Sequence, residues 1–237
     1  MDRTRFLVVA LVVLAGCGSL GDNPDPDQDR TLTPAPVPEP TPTPRDPLPP
    51  GVTGNGVADI DALLSAHTAA LANRSFTLRV RISRGGETDL RLLRVEGPRR
   101  YYYHDETQAV EGTRTEFVLD RFRYARTVEP PVGLQFGRYL ASDYADRYGQ
   151  VPGATLRSYL PAGNATVLRT TVDGERRYDL RADRSPRWEP SPRTNYSVRA
   201  TVQPDGFVRS LEASYVRPHD GGRTNVTVTV EHTDLDA

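Results

Sequence analysis

An alternation of apolar and polar side chains recurs along most of the chain after residue 75. In the segment 76–83, FTLRVRIS, the four apolar side chains fall on every second residue. This period is typical of an antiparallel strand with one buried and one solvated face. The same pattern predicts nine further strands, at 88–95, 99–104, 114–119, 122–128, 166–172, 175–182, 195–203, 207–217 and 223–232. Ten such segments constrain the chain to a large antiparallel sheet.

The connections between several of these strands carry the residues of tight turns. Asp173-Gly174 separates two predicted strands, and an Asp-Gly pair favours a two-residue hairpin. Pro204-Asp205-Gly206 supplies a proline for the first turn position and a glycine for a positive φ. Asp120-Arg121 joins another pair of strands. Strands joined in this way are neighbours, so the sequence predicts one long meander.

Helical periodicity appears before and within this series of strands. Asp59 is a suitable N-cap for a helix at 59–73, whose apolar face is formed by Ile60, Leu63, Leu64, His67 and Leu71. His67 on that face is interpreted as a packed core histidine; a catalytic role is the alternative. A second helix is predicted at 134–148, with Phe136, Tyr139, Leu140 and Tyr144 on one side, and a short third one near 152–160.

The predicted fold class is therefore α+β. Residues 57–237 are expected to form a single domain, which is long enough for one hydrophobic core. Its antiparallel meander is expected to curve as a half-barrel, with the first and the mid-chain helix packed on the concave face.

The start of the chain predicts export and lipid anchoring. Residues 1–16 contain two arginines followed by FLVVALVVLA at 6–15. Ten helical residues rise about 15 Å, half of a bilayer core, which indicates a signal peptide. Leu14-Ala15-Gly16-Cys17 resembles a lipobox, which implies a lipid on Cys17 and a location on the extracytoplasmic face of the membrane. The alternative is an ordinary signal peptide followed by a chance cysteine.

Residues 17–56 are interpreted as the lipidated cysteine and a tether. Eleven of residues 18–56 are proline, which favours extended polyproline II. At about 3.1 Å per residue, such a tether spans at most roughly 120 Å.

Composition points to an archaeal cell surface. All 30 basic residues are arginine, an absence of lysine that is typical of haloarchaeal proteomes. Four of the six asparagines lie in glycosylation sequons, namely Asn73, Asn164, Asn195 and Asn225. Their use requires exposure outside the membrane; chance sequons in threonine-rich strands are the alternative.

Several function classes receive no support from the sequence. The net charge of −1 gives no sign of nucleic-acid binding. The four histidines lack metal-ligand spacing, and neither a Gly-x-Ser-x-Gly elbow nor a His-Glu-x-x-His motif occurs. We therefore expect neither an enzyme nor a protein with a metal or other cofactor.

Three stretches resemble a family of haloarchaeal surface lipoproteins of unknown function: LPPGV at 48–52, DIDALLSAHTAALANRSFTLRV at 59–80, and NYSVRATVQPDGFVRSLEASYVRP at 195–218. The family has no catalytic residues that transfer to this chain. More distantly, a helix followed by a long meander is similar to LolA-like and LprG-like lipoprotein carriers. That resemblance implies a concave apolar face beneath helices and a hydrophobic ligand.

The expected function is non-catalytic binding of an apolar or amphiphilic, lipid-like ligand between the concave face and the 59–73 helix. The candidate lining residues are Leu64, Leu71, Phe76, Leu78, Val80, Ile82 and Tyr144. In the alternative interpretation these residues pack a closed core. Tyr101-Tyr102-Tyr103 likewise fits a strand with alternate rings buried, or ligand stacking. The rival function is a structural or protein-interaction module of the archaeal cell envelope, with an unknown protein partner.

Overall fold

The computed structural model describes residues 47–72, 74–108, 112–140, 147–186, 193–219 and 222–236. Residues 45–237 belong to one compact unit. The predicted signal peptide, Cys17, Asn73 and Tyr144 lie outside the described residues. Residues 47–57, which the sequence places at the end of the tether, are part of the compact unit.

The described residues form two helices and fourteen strands. The helices are α1 (Ile60–Leu71) and α2 (Arg147–Tyr159). The strands are β1 (Val52–Thr53), β2 (Gly56–Val57), β3 (Ser75–Arg84), β4 (Glu87–Gly97), β5 (Arg100–Thr107), β6 (Gly112–Leu119), β7 (Phe122–Glu129), β8 (Gly133–Leu140), β9 (Gly163–Asn164), β10 (Thr166–Val172), β11 (Glu175–Ala182), β12 (Thr194–Val202), β13 (Val208–His219) and β14 (Gly222–Asp236).

Eleven of these strands form one open antiparallel sheet, in the order β10-β11-β12-β13-β14-β3-β4-β5-β6-β7-β8. The chain starts in the middle of the sheet at β3 and runs outward to β8. It then passes through α2 to the opposite edge and returns from β10 to β14. The single meander predicted from sequence is therefore two meanders, joined where β14 pairs with β3. The three shortest strands form a separate small sheet, β1-β2-β9.

Helix α1 forms as the sequence predicts. The carboxylate of Asp59 accepts a hydrogen bond from the backbone N–H of Ala62 at 2.9 Å, which caps the helix. The predicted apolar face is buried through Leu63, Leu64, His67 and Leu71. His67 contacts Phe207 and His232, so α1 packs on the face of the sheet near β13 and β14. We call this helix-covered side of the sheet the inner face and the opposite side the outer face.

The helix predicted at 134–148 is wrong over 134–140, while 141–146 lie outside the described residues. Residues 133–140 form β8, which pairs with β7 from Glu129↔Gly133 to Phe122↔Leu140. Gly137 within this segment disfavours a helix by about 1 kcal/mol. The helix begins instead at Arg147 and ends at Tyr159, so it includes most of the short segment predicted near 152–160.

The predicted turns form where Asp-Gly pairs occur. Asp173 and Gly174 both have positive φ, at 54° and 80°, and join β10 to β11. Gly206 has φ of 90° in the turn between β12 and β13, where its N–H donates to the carbonyl of Gln203 at 3.0 Å. A Cβ added to Gly206 would lie 2.6 Å from the Cβ of Ala66, so α1 rests directly on this turn.

Within the described ranges, neither helix has the length and apolar character needed to cross a bilayer.

Gly174 and Gly206 give a matched test of the contact between α1 and the sheet. The change Gly174→Ala adds only backbone strain, because no atom lies within 4 Å of its new Cβ, and should destabilise the fold by about 1–2 kcal/mol. The change Gly206→Ala adds the clash with Ala66 and should cost about 1–3 kcal/mol more. Denaturant unfolding of both variants measures the difference. Equal losses would contradict the placement of α1.

Candidate ligand-binding groove

The six described residues that were predicted to line a cavity fall into two groups on the inner face. Leu64, Leu71, Phe76 and Leu78 are buried in the core beneath α1, with 6% or less of each side chain exposed. Val80 is also buried, while Ile82 is partly buried at the margin of the core. Of these six described residues, only Val80 and Ile82 border the space described next.

The open space on the inner face lies beneath α2. Three adjoining cavities lie there and at its margin, with volumes of about 300, 250 and 110 Å³, and Ile82 lines all three. Residues of α2 line the first two, whereas residues of β3, β4 and β5 line the third. Val80 lines the first and third, and Tyr159 the first and second. We call these three cavities together the α2 groove.

The apolar part of the α2 groove has a floor from β3 and a roof from α2. Val80 and Ile82 form the floor, and Val151, Ala154 and Tyr159 contribute to the roof. The sequence prediction missed these roof residues because it placed the mid-chain helix one segment too early. The amphipathic order Val151, Ala154, Ser158 was the available signal, since residues three and four apart share a helix face.

Aromatic rings border the groove on two sides. Tyr103 lies on β5 and is buried together with Tyr101, whereas Tyr102 between them is on the outer face, so the strand interpretation of this run is confirmed. Tyr215 on β13 stacks with Tyr196 at 6.0 Å between ring centroids. The hydroxyl of Tyr196 donates to the carbonyl of Tyr159 at the end of α2. Burial raises the pKa of Tyr159 and Tyr196, so both hydroxyls stay protonated.

Charged side chains ring the groove. Arg84 pairs with Asp89, and Arg91 pairs with Asp105 at 3.3 Å. Asp105 also accepts a hydrogen bond from the hydroxyl of Tyr103 at 2.7 Å. These contacts hold both aspartates in ion pairs at the border of the apolar floor and the aromatic rings.

A buried charge cluster continues the inner face toward β8. Glu116 on β6 is fully buried and accepts from Arg114 at 2.6 Å and from Arg123 at 3.2 Å. The guanidinium of Arg123 also lies 4.9 Å from the ring centroid of Tyr139. The inner face thus changes from apolar beneath α1 to charged near the β8 edge.

A larger cleft of about 1140 Å³ lies away from the helices. Its lining is polar and charge-balanced, with Arg181 and Arg199 against Asp183 and Glu212. Its apolar residues, which include Val167 and Val198, are interspersed with these charges, so the cleft is a poorer candidate for an apolar ligand.

Three of the four predicted sequons lie on described residues. Asn164, Asn195 and Asn225 are all exposed, on β9, β12 and β14 respectively. Asn195 adopts a positive φ of 51°. Exposure is compatible with glycosylation, which stays a prediction.

The structure brings two histidines together that the sequence keeps 165 residues apart. His67 and His232 are both buried, with ring centroids 5.0 Å apart. His67 Nδ1 accepts from the backbone N–H of Val208 at 3.2 Å, while its Nε2 has no hydrogen-bond partner among the described residues. His67 is therefore a core residue, as expected. In the described part of the chain, no group of three or more His, Cys, Asp or Glu side chains is arranged to hold a metal ion.

Comparison with known proteins gives weak similarities. No protein-family model and no curated protein sequence matches the chain. Among solved structures, it is similar to a LolA superfamily protein from Nitrosomonas europaea, at 12% identity over 75% of this chain and 92% of the other, with a TM-score of 0.25. It is also similar to a DUF1329 family protein from Desulfovibrio piger, at 11% identity over 74% and 92% of the two chains, with the same TM-score.

The buried histidine pair predicts a loss of stability in acid. Burial lowers the pKa of His67 well below its ordinary value, helped by His232, and lowers the pKa of His232 to about 4. Between about pH 6.5 and pH 4 the unfolded chain therefore binds more protons than the folded one. Stability should be complete above about pH 6.5 and fall by up to about 1.4 kcal/mol per pH unit for each histidine below it.

The variant His232→Leu tests this expectation. It removes one of the two titrating groups and also the effect of His232 on the pKa of His67, so the variant should lose less stability than the wild type between pH 6.5 and pH 4. His104→Leu is the control, because His104 is partly exposed on β5. Unfolding free energies at pH 7, 6, 5 and 4 provide the measurement, and an unchanged slope in His232→Leu would contradict the assignment.

Proposed function

We propose that this protein is an exported, lipid-anchored cell-surface protein that binds an apolar or amphiphilic, lipid-like ligand without catalysing a reaction. Cys17 is its anchor, the proline-rich segment is its tether, and the folded unit carries the ligand on the extracytoplasmic face. The observation that carries the binding proposal is the α2 groove, where Val80, Ile82 and Val151 surround open space beside a continuous apolar core.

The dimensions of the α2 groove fit part of a lipid-like ligand. Small-molecule sites usually have volumes of about 300–1,000 Å³ and combine an apolar wall with a few placed polar groups. The cavity beneath α2 has about 300 Å³, and two adjoining cavities extend it. An acyl or isoprenoid chain segment on Val80 and Ile82 would contact apolar atoms on two sides.

A specific observation also favours the rival function, a protein-interaction module. The outer face near β8 exposes Leu134, Phe136 and Leu140, with 64%, 73% and 48% of each side chain accessible. β8 is also an edge strand of the sheet, and exposed edges pair readily with other chains. Cross-linking on intact cells separates the two functions, because a carrier does not need one abundant fixed partner.

Filling the groove tests the leading proposal. Ala154→Phe places a ring in the cavity beneath α2 and should reduce co-purifying lipid, or binding of a neutral alkyl probe such as decanol, by at least about tenfold. The control is Ala69→Phe, the same substitution at an exposed position on α1 that borders none of the three cavities. Native mass spectrometry and calorimetry measure the two effects. Undiminished binding in Ala154→Phe would exclude the α2 groove as the site.

Removing the thiol tests the proposed anchor. Cys17→Ser cannot form a thioether, so the chain should move from the membrane fraction to the soluble fraction and lose the mass of its lipid. The nearby change Ser19→Ala is the control and should leave the chain in the membrane fraction. A Cys17→Ser chain that stays fully in the membrane fraction would contradict the proposed anchor.

A further inference from the structure

We propose that the α2 groove selects an amphiphile with an anionic head group, which binds to an arginine cluster of Arg84, Arg193 and Arg217 at the end of α2. This inference rests on the proposed function, since it assigns the head group of the same ligand. It comes from the second of the three cavities, whose lining differs in charge from that of the other two.

The second cavity contains three guanidinium groups. Its lining is Ile82, Arg84, Ser158, Tyr159, Arg193, Tyr215 and Arg217. No acidic residue is among these described lining residues. Over all three cavities, four arginines face two aspartates, so the α2 groove has an excess of positive charge concentrated at one end.

The backbone arranges these arginines on one part of the inner face. On β13, Tyr215 and Arg217 are two residues apart and face the same side of the sheet. Val226 of β14 pairs with Tyr215 on one side and with Arg84 of β3 on the other. Alternation along the paired strands therefore places Arg84 and Arg217 on the same face beyond Ile82, with β14 between them, and both line the second cavity.

Arg193 approaches the same place from the start of β12. Its guanidinium carbon lies 4.5 Å from the ring centroid of Tyr215 and 5.2 Å from that of Tyr159. Its Nη1 donates to the carbonyl of Ser158 at 3.0 Å. Stacking and this hydrogen bond orient Arg193, and they also offset the partial negative charge at the C-terminus of α2.

Arg193 is oriented by these contacts, while Arg84 already pairs with Asp89 and would share its five N–H donors with a phosphate, sulfate or carboxylate. A guanidinium matches these oxyanions with two parallel hydrogen bonds, and such charged hydrogen bonds are stronger than neutral ones. The adjacent floor of Val80 and Ile82 contacts an alkyl chain but offers nothing to a free anion. The combined site therefore fits a molecule that has both parts.

Calorimetry with ligands of equal chain length tests the inference. The soluble Cys17→Ser chain is titrated with decyl phosphate, decanol, decyltrimethylammonium and inorganic phosphate. We expect decyl phosphate to bind at least about tenfold more tightly than decanol, and the cationic amphiphile more weakly than both. Arg217→Gln should lose most of this preference for phosphate while it keeps its affinity for decanol.

Two further variants separate charge recognition from structural damage. Arg217→Lys keeps a positive charge and should restore part of the preference. Arg79→Gln removes an exposed arginine of β3 on the outer face and should leave the preference unchanged. Both variants should unfold at the same denaturant midpoint as the wild type, which checks that the fold is intact.

Each contrary result has a distinct meaning. Equal affinity for decyl phosphate and decanol would overturn the head-group inference and leave the proposed function standing. If inorganic phosphate binds as tightly as decyl phosphate and decanol does not bind, the groove is a site for free anions. This result would overturn the inference that the ligand is an amphiphile. Absence of binding for every alkyl ligand would overturn the proposed function itself.

Discussion

The pairing of β14 with β3 is the contact on which the rest of the structure depends. It joins the last strand to the first strand of the large sheet and so unites the two meanders. The register places Val230 beside Val80 and Val228 beside Ile82, which gives the inner face a continuous apolar centre. Helix α1 covers this centre with leucines, and α2 covers its margin. Without this pairing, the two helices would have no common surface to pack on.

Charged side chains appear on the inner face only away from this apolar centre. Beneath α1 the buried residues are apolar apart from the neutral histidine pair. Around the α2 groove, arginines and aspartates alternate with apolar residues, and beyond it Glu116 lies buried between Arg114 and Arg123. A buried charge is tolerated only with a well-placed partner. Each carboxylate discussed on this face lies against at least one guanidinium, so the face can be partly polar without losing stability.

Local patterns in the sequence predicted most elements but not their arrangement. The ten predicted strands correspond to β3–β7 and β10–β14, because strict alternation is a direct consequence of one buried face. β8 was missed because Phe136, Tyr139 and Leu140 fit a helical spacing as well, and only its pairing with β7 decides between the two. The prediction placed the helix that covers the concave face at 134–148, so α2 was predicted only as a short segment near 152–160 and not as the roof of the groove. The β14–β3 pairing joins residues about 150 positions apart, and no local pattern encodes such a contact.

The difference between the two helices explains where the open space lies. α1 presents leucines that fill the volume above the sheet, whereas α2 presents Ala154, Thr155 and Ser158 to the groove. Small side chains leave volume that packing cannot recover, because the backbone of a helix does not collapse onto the sheet. The hydroxyl of Thr155 already donates to the carbonyl of Val151, and that of Ser158 to the carbonyl of Ala154, at 2.8 and 2.9 Å. Since both hydroxyl donors are satisfied within the helix, an alkyl chain in the groove would leave neither of them unpaired.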